Sequence, residues 1–207
     1  MMNTKIKAKI KTLPYITIAI IAANVIYFLI LASLGRLSDS RYMLSMGADF
    51  APYVFKEFQV WRLITCMFVH FSLSHLAGNM IYLAIIGFQF ERGIGHFKFF
   101  LIYMLSGIAA SLVSCAYYSL TNQNVVSGGA SGAVYGLMAM TIYFSVKGRK
   151  LSGRGILSYR LIIALVFLFY SNFASGSGVD APAHVGGFAA GLLLSMLFFG
   201  KKFKKRR

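Results

Sequence analysis

The chain has 207 residues, of which 58% are hydrophobic and only 13% charged, and its mean hydropathy is +0.70. This composition excludes an ordinary water-soluble domain, because so large an apolar fraction is typical of membrane proteins. The formal charge of +16 would suit a nucleic-acid partner, but the basic residues lie between apolar runs rather than on one soluble face, so we expect no nucleic-acid binding.

Six apolar stretches approach or exceed the length that crosses a bilayer, which is about 20 residues of helix. They cover residues 13–34, 70–90, 98–118, 131–146, 157–171 and 182–200. The sequence therefore predicts an all-α, polytopic membrane protein with six transmembrane helices. We expect one membrane domain over residues 1–207, with a six-helix core at 13–200 between a basic N-terminus at 1–12 and a basic tail at 201–207.

Basic residues predict the orientation of these spans, because cytoplasmic loops of membrane proteins carry an excess of Lys and Arg. With the N-terminus inside, most of the 21 basic residues fall on the inner side, and the outer segments keep only Arg36, Arg41, Lys56 and Arg62. We therefore expect both termini in the cytoplasm and the protein in the plasma (inner) membrane. The basic tail would then be attracted to anionic headgroups of the lipid bilayer.

Two outer connections precede the spans that carry most polar residues. Residues 35–69 mix aromatic and charged side chains and are expected at the outer interface, whereas residues 119–130 have no charge and end near a Gly pair. The fourth span has about 16 residues at ~1.5 Å each, too short for a hydrocarbon core of ~30 Å. Its outer end is therefore expected below the membrane surface, in a pocket that water reaches from outside.

Polar side chains inside the bilayer are costly and indicate functional sites. Here they cluster near the outer ends of three spans that run in the same direction. They are His70, His75 and Asn79 in the second span, Ser131 and Tyr135 in the fourth, and His184 in the sixth. His75 and Asn79 are four residues apart and share a helix face, whereas the spacing predicts that His70 points elsewhere.

Small residues recur at every fourth position beside the serine and the sixth-span histidine. The fourth span has Gly128, Gly132 and Gly136, and the sixth has Ala183, Gly187 and Gly191. Such rows let helix backbones approach closely in lipid. Either row alone is typical of an ordinary packing seam, but together they would bring a hydroxyl and an imidazole within hydrogen-bond reach.

This combination indicates nucleophilic catalysis. A serine becomes a nucleophile beside a base, which His184 can supply, and attack on a carbonyl needs preorganised donors, which His75 and Asn79 can supply. No acidic residue lies within a span to complete a triad, so a dyad of Ser131 and His184 remains. Asp180, four residues before the histidine, could orient it, but the favoured interpretation is a loop residue or the cap of the sixth helix.

Three motifs resemble those of a known family, the rhomboid intramembrane serine proteases. Gly129-Ala130-Ser131-Gly132 resembles the family's Gly-x-Ser-Gly nucleophile motif. The second motif runs from His70 through His75 to Asn79, and the third is Ala183-His184-Val185-Gly186-Gly187. Trp61-Arg62 and Glu91-Arg92 with Gly95 resemble further family segments, and all lie in the family's order on the predicted spans.

The resemblance implies a rhomboid-like bundle of the minimal six-span bacterial type, with a short fourth span. It implies an endopeptidase that cuts in or near transmembrane segments of membrane-protein substrates, with no metal or cofactor. His75 and Asn79 would face the oxyanion, and the Tyr135 ring would pack under the catalytic histidine. The supporting residues would be Gly129, Gly132, Gly187 and His70. Trp61 and Arg62 would either anchor the membrane interface or brace the first outer loop.

Other functions stay open at this point. A metalloprotease would need a His-Glu-x-x-His pattern, which the second span lacks, and an aspartyl protease would need two carboxylates within the spans. A small transporter or channel also suits six spans with a polar centre. A rhomboid-like protein that binds membrane clients without cutting them would not need the dyad. The two cysteines, Cys66 and Cys115, are expected to be buried and unpaired.

Overall fold

The computed structural model describes residues 13–152 and 179–204. Numbered here in chain order, its helices are α1 Tyr15–Ser33, α2 Ser40–Ser45, α3 Ala51–Phe55, α4 Arg62–Thr65, α5 Leu73–Ile94, α6 His96–Leu120, α7 Ser131–Ser152 and α8 Ala181–Lys204. A 3₁₀ turn at Cys66–Phe68 follows α4, and there are two short strands, β1 Asp49–Phe50 and β2 Val126–Ser127.

Four helices of the described ranges are long and apolar enough to cross a membrane. They are α1, α5, α6 and the Ala181–Gly200 part of α8. Each matches a predicted span to within a few residues, which confirms the multi-pass, helical character of the chain. The predicted fifth span at 157–171 lies outside the described residues, as do the N-terminal segment 1–12 and residues 205–207.

The predicted fourth span is part of a longer helix. Helix α7 begins at Ser131, as expected, but it continues to Ser152 and has 22 residues. The apolar stretch ends at Val146, yet the polar residues beyond it are compatible with a helix and no proline interrupts them. The apolar part of α7 thus ends before the helix does, α7 is not among the helices of the described ranges that are long and apolar enough to cross a membrane, and the depth of Ser131 stays a prediction.

A two-stranded ladder adds a small β element that the all-α prediction did not contain. Asp49 pairs with Ser127 and Phe50 with Val126, in antiparallel register. The ladder joins the predicted outer connections, 35–69 and 119–130, to each other. It also matters for the site described below, because β2 is followed directly by the glycines that precede Ser131.

Helices α6, α7 and α8 form the centre of the bundle. Along α7, almost every side chain from Ala133 to Met140 is inaccessible, so this helix is buried on all sides. By contrast, α1 exposes Ile26, Leu29 and Ile30 on one face. In a membrane protein such an apolar face is expected to meet lipid.

We call the two ends of the bundle the Ser131 end and the Glu91 end. At the Glu91 end, the buried carboxylate of Glu91 accepts hydrogen bonds from the amides of Ile16 and Thr17, at 2.9 and 2.8 Å, and from the Thr17 hydroxyl at 2.5 Å. It also pairs with Nδ1 of His96, in the first turn of α6. The anion thereby caps the N-terminus of α1, where free amides and the helix dipole favour negative charge.

The turn between α5 and α6 is a single glycine. Gly95 has a φ of +94°, in the region that favours glycine, and its amide donates to the carbonyl of Glu91 at 2.9 Å. The next residue, His96, already begins α6. This tight turn brings His96 back onto Glu91, so that one carboxylate ties together α1, α5 and α6.

Candidate active site

Ser131 is the first residue of α7 and follows a loop that leaves no room for larger side chains. Gly129 has a φ of +128°, and a β-carbon there would lie 2.6 Å from Cε1 of His75. The Gly129 amide donates to the carbonyl of Cys66 at 2.8 Å. The loop is therefore fixed against the segment before α5, and Ser131 lies at a helix N-terminus, where the dipole favours developing negative charge.

His184 lies in the first turn of α8, and its Nε2 is 3.1 Å from Oγ of Ser131. The ring stacks on Tyr135, with centroids 4.0 Å apart and planes at 12°. Only 6% of His184 is exposed. A neutral imidazole that accepts at Nε2 carries its proton on Nδ1, so this contact allows His184 to act as a base toward the serine hydroxyl.

Backbone contact between α7 and α8 sets this distance. A β-carbon at Gly187 would collide with the carbonyl oxygen of Gly132, and one at Gly191 would collide with that of Gly136. The two helices therefore touch through their backbones, as rows of small residues at a four-residue period predict.

Gly128 does not belong to this seam, contrary to the sequence prediction. It precedes α7, so the helical period does not extend to it, and a β-carbon there would lie 3.0 Å from the carbonyl oxygen of Val69. On another side of α7, a β-carbon at Gly132 would collide with that of Ala110 in α6. Small residues thus let α6 and α8 both approach the first turns of α7.

The prediction that His70 points away from His75 was wrong. The two rings lie edge to face with centroids 5.0 Å apart. Helical spacing does not apply to His70, because α5 begins only at Leu73. Its Nδ1 lies 3.3 Å from the carbonyl oxygen of Phe68, and its Nε2 lies 3.0 Å from Nδ2 of Asn79. A proton on Nδ1 satisfies both contacts and leaves Nε2 as an acceptor.

His70 also reaches the loop that carries the serine. The amide of Ala130 points at His70 Nε2, at 3.4 Å, and the His70 side chain is fully buried. His70 therefore links the residue before Ser131 to Asn79 in α5. Sequence reasoning included it only as a supporting residue, because nothing in its spacing indicates which groups it contacts.

His75 and Asn79 lie on the face of α5 that meets the glycine loop. Nε2 of His75 is 2.7 Å, and Nδ2 of Asn79 is 3.6 Å, from the position that a β-carbon at Gly129 would take. The start of α5 is fixed by Ser72, whose Oγ accepts from the His75 amide at 3.2 Å. Two side chains that can donate N–H groups therefore lie beside the loop before Ser131.

Asp180 caps α8, which confirms one of the interpretations that the sequence allowed. Its Oδ1 accepts from the amide of Ala183 at 3.0 Å, and its carbonyl accepts from the amide of His184 at 3.1 Å. Its Oδ2 accepts from the hydroxyls of Ser114 in α6 and Ser127 in β2, both at 2.5 Å. Sequence reasoning missed these two contacts, since the three residues lie far apart along the chain.

The segment 35–69 is braced from inside by Arg62. This side chain is only 5% exposed and donates to the carbonyls of Leu44 and Ala48, at 2.7 and 2.8 Å. Its guanidinium carbon lies 4.5 Å from the ring centroid of Trp61, which is 47% exposed. Bracing is therefore the role of Arg62, and Trp61 keeps a face available to the membrane interface.

A buried carboxylate lies in the same segment. Asp49 accepts from the thiol of Cys115 at 3.0 Å and from the hydroxyl of Ser111. Its burial raises the pKa of the Asp49 carboxyl above its ordinary value. Cys115 and Cys66 are both free and buried, as predicted. Within residues 13–152 and 179–204, no three His, Cys, Asp or Glu side chains lie close enough together to hold a metal ion.

The chain is similar to proteins of one known family. The family model described as Rhomboid domain matches residues 57–201. RHOMBOID-like protein 1 of Arabidopsis thaliana is 35% identical over 155 residues, which cover 74% of this chain and 38% of that protein. Rhomboid-like protease 3 of Toxoplasma gondii is 32% identical over 199 residues, which cover 94% and 71%. Rhomboid protease GluP of Bacillus subtilis (strain 168) is 30% identical over 178 residues, which cover 86% and 34%.

The chain thus spans well under half the length of the Arabidopsis and Bacillus relatives. The region that the family model matches nevertheless contains all of the residues described around Ser131 and His184. With more than half of its residues inside that match, the chain belongs to the rhomboid family.

Proposed function

We propose that this chain is an intramembrane serine endopeptidase, which hydrolyses peptide bonds in or near the transmembrane segments of membrane proteins through Ser131 and His184. The observation that carries the proposal is the 3.1 Å contact between Oγ of Ser131 and Nε2 of His184. Two of the relatives are named as rhomboid proteases or rhomboid-like proteases. The proposal includes six transmembrane helices, both termini in the cytoplasm, and a site that opens to the outer side of the plasma membrane.

Acylation is the first proposed step. Oγ of Ser131 attacks the carbonyl carbon of the scissile bond while Nε2 of His184 takes the hydroxyl proton. The carbonyl oxygen becomes an oxyanion, toward which N–H groups of His75 and Asn79 donate. The C–N bond then breaks as His184 transfers its proton to the leaving amine, and the substrate's new carboxyl end remains as an ester on Ser131.

Deacylation requires water at the same position. A water molecule attacks the ester carbonyl while His184 accepts one of its protons, and the proton returns to Ser131 as the carboxylic acid product leaves. These steps use side chains of this chain alone and need no metal or cofactor. They do need a path for water from the outer side, because polar backbone and a reacting water are tolerated at membrane depth only in a hydrated cavity.

Cleavage in liposomes tests the proposal. The purified chain is reconstituted with a single-span test substrate that carries Gly and Ala in the outer third of its helix. We expect two fragments with the wild-type chain and none with Ser131→Ala or His184→Ala. Ser195→Ala is the matched control, since among the described residues this buried hydroxyl of α8 bonds only to the carbonyl of Gly191, at 2.7 Å; it should cleave like the wild type.

Two outcomes would contradict the proposal. Equal cleavage by Ser131→Ala would show that another residue or a contaminant performs the hydrolysis. Stable capture of the intact substrate by the wild-type chain, without fragments, would instead indicate a protein that binds membrane clients without cutting them.

A further inference from the structure

We propose that Asp180 is a positioning residue, which holds His184 at the distance from Ser131 at which the hydroxyl can be activated. The inference rests on the proposed function, and it assigns Asp180 a role beyond that of a helix cap. Its two carboxylate oxygens have different partners. Oδ1 holds the start of α8 through the Ala183 amide, whereas Oδ2 accepts from Ser114 and Ser127, in α6 and β2.

These contacts close a ring around the two reacting groups. Ser127 lies four residues before Ser131, and Asp180 lies four residues before His184. The Asp180 carbonyl accepts from the His184 amide, so the side chain of Asp180 and the imidazole belong to the same helical turn. The bond from Ser127 to Asp180 therefore joins the two segments on one side, and the contact from Ser131 to His184 joins them on the other.

His184 needs such an external constraint. Its Nδ1 is buried and has no hydrogen-bond acceptor among the residues that the structure describes. The stacking on Tyr135 fixes the plane of the ring but allows it to slide within that plane. The closest backbone contacts of the glycine seam, at Gly187 and Gly191, lie about 4.5 Å or more further along the helix. Apart from the contact between His184 and Ser131 itself, the hydrogen bonds described between the first turn of α8 and the segment before Ser131 are those of Asp180.

Two sets of variants separate positioning from capping. Asp180→Ser keeps a residue that caps helices well, but its shorter side chain cannot reach both serine hydroxyls. The double variant Ser114→Ala/Ser127→Ala removes the hydroxyls and leaves the cap unchanged. Asp180→Asn keeps the length and an acceptor oxygen, so it serves as the conservative rescue. Ser119→Ala, on an exposed position of the same helix α6, is the matched control.

The readouts are cleavage of the test substrate, with kcat and KM separated, and the rate at which a fluorophosphonate labels Ser131. We expect Asp180→Ser and the double variant to lower kcat and the labelling rate by about 10- to 100-fold, because small displacements of a reacting group have effects of this size. KM and the unfolding temperature should stay close to wild type. Asp180→Asn should recover most of the rate, and Ser119→Ala should match the wild type.

Wild-type kcat and labelling in both Asp180→Ser and the double variant would overturn the inference. Losses of kcat and of labelling rate that are fully explained by a lower unfolding temperature would overturn it as well, because they would assign Asp180 a purely structural role. If Asp180→Ser does not fold, the double variant decides between these results. Labelling of the wild-type chain that persists in Ser131→Ala would mean that the proposed function itself had failed, which is a distinct result.

Discussion

The two ends of the bundle both gather polar side chains, but they satisfy them differently. At the Glu91 end, the carboxylate has four donors, from Ile16, Thr17 and His96. At the Ser131 end, the buried Nδ1 of His184 has no acceptor among the described residues, and Gly129 holds a φ of +128°. Unsatisfied buried groups cost stability.

The difference separates two uses of polar residues within a membrane. The carboxylate of Glu91, whose hydrogen bonds are all made and join three helices, is explained by stabilisation of the fold alone. An imidazole whose Nδ1 has no partner among the described residues is costly for the fold, and its Nε2 beside a hydroxyl is useful for proton transfer. Changes at the Ser131 end should therefore affect turnover more than stability, and changes at the Glu91 end should do the reverse.

The largest effect is expected where α7 and α8 touch. In Gly187→Ala the new β-carbon would collide with the carbonyl oxygen of Gly132, so the helices must separate near the dyad. We expect cleavage of the test substrate to fall by about 10²-fold, because the two reacting groups move apart. Gly93→Ala, in α5 near the Glu91 end, is the matched control, since a β-carbon there meets nothing within 4 Å. Equal activity of both variants would contradict the backbone seam.

Glu91→Gln should have an intermediate effect, and it should lower stability rather than turnover. The substitution removes the negative charge while keeping the side-chain size, and it weakens the bonds to the N-terminus of α1 and to His96. We expect the free energy of unfolding in detergent micelles to fall by about 1.5–3 kcal/mol, as for hydrogen bonds to charged groups. Turnover per folded molecule should stay within about twofold of wild type. A large loss of turnover without loss of stability would contradict the division between the two ends.

The smallest effect is a pH-dependent change in stability that we expect from Asp49. This residue lies outside the membrane-spanning helices, and burial raises the pKa of its carboxyl. The folded chain therefore binds this proton more readily than the unfolded chain does. Burial of the carboxylate opposes folding at neutral pH, and the opposition disappears as the pH falls through the raised pKa. Unfolding of wild type and Asp49→Asn is compared between pH 8 and pH 5. The wild type should gain stability relative to the variant on acidification, and parallel curves would contradict this assignment.

The sequence could predict the parts of the fold that depend on the length of an apolar run or on a regular spacing of small residues. Apolar runs indicated the long helices, and the four-residue spacing of Gly132 with Gly136 and of Gly187 with Gly191 predicted the contact between α7 and α8. In both cases the information is local, because a helix places every fourth residue on one face. That is why the approach of Ser131 to His184 could be anticipated without coordinates.

The parts that failed depend on contacts between distant segments or on residues outside helices. The end of α7 could not be predicted from the apolar stretch, because that stretch indicates a membrane span and the helix continues beyond it. The position of His70 was misjudged because it precedes α5, where a loop and not a helical period sets its direction. Glu91 was named within a motif, but no local pattern indicates which helix N-terminus a carboxylate will cap. The bonds from Ser114 and Ser127 to Asp180 were missed for the same reason.

Labelling by a fluorophosphonate, with the modified residue mapped by mass spectrometry, tests the central claim most directly. The reagent reacts with a serine whose hydroxyl is activated by a neighbouring base. The account predicts one adduct, on Ser131, that is lost in Ser131→Ala and in His184→Ala and retained in Ser195→Ala. Absence of an adduct on correctly folded wild-type protein, or labelling of Ser131 that does not depend on His184, would contradict it.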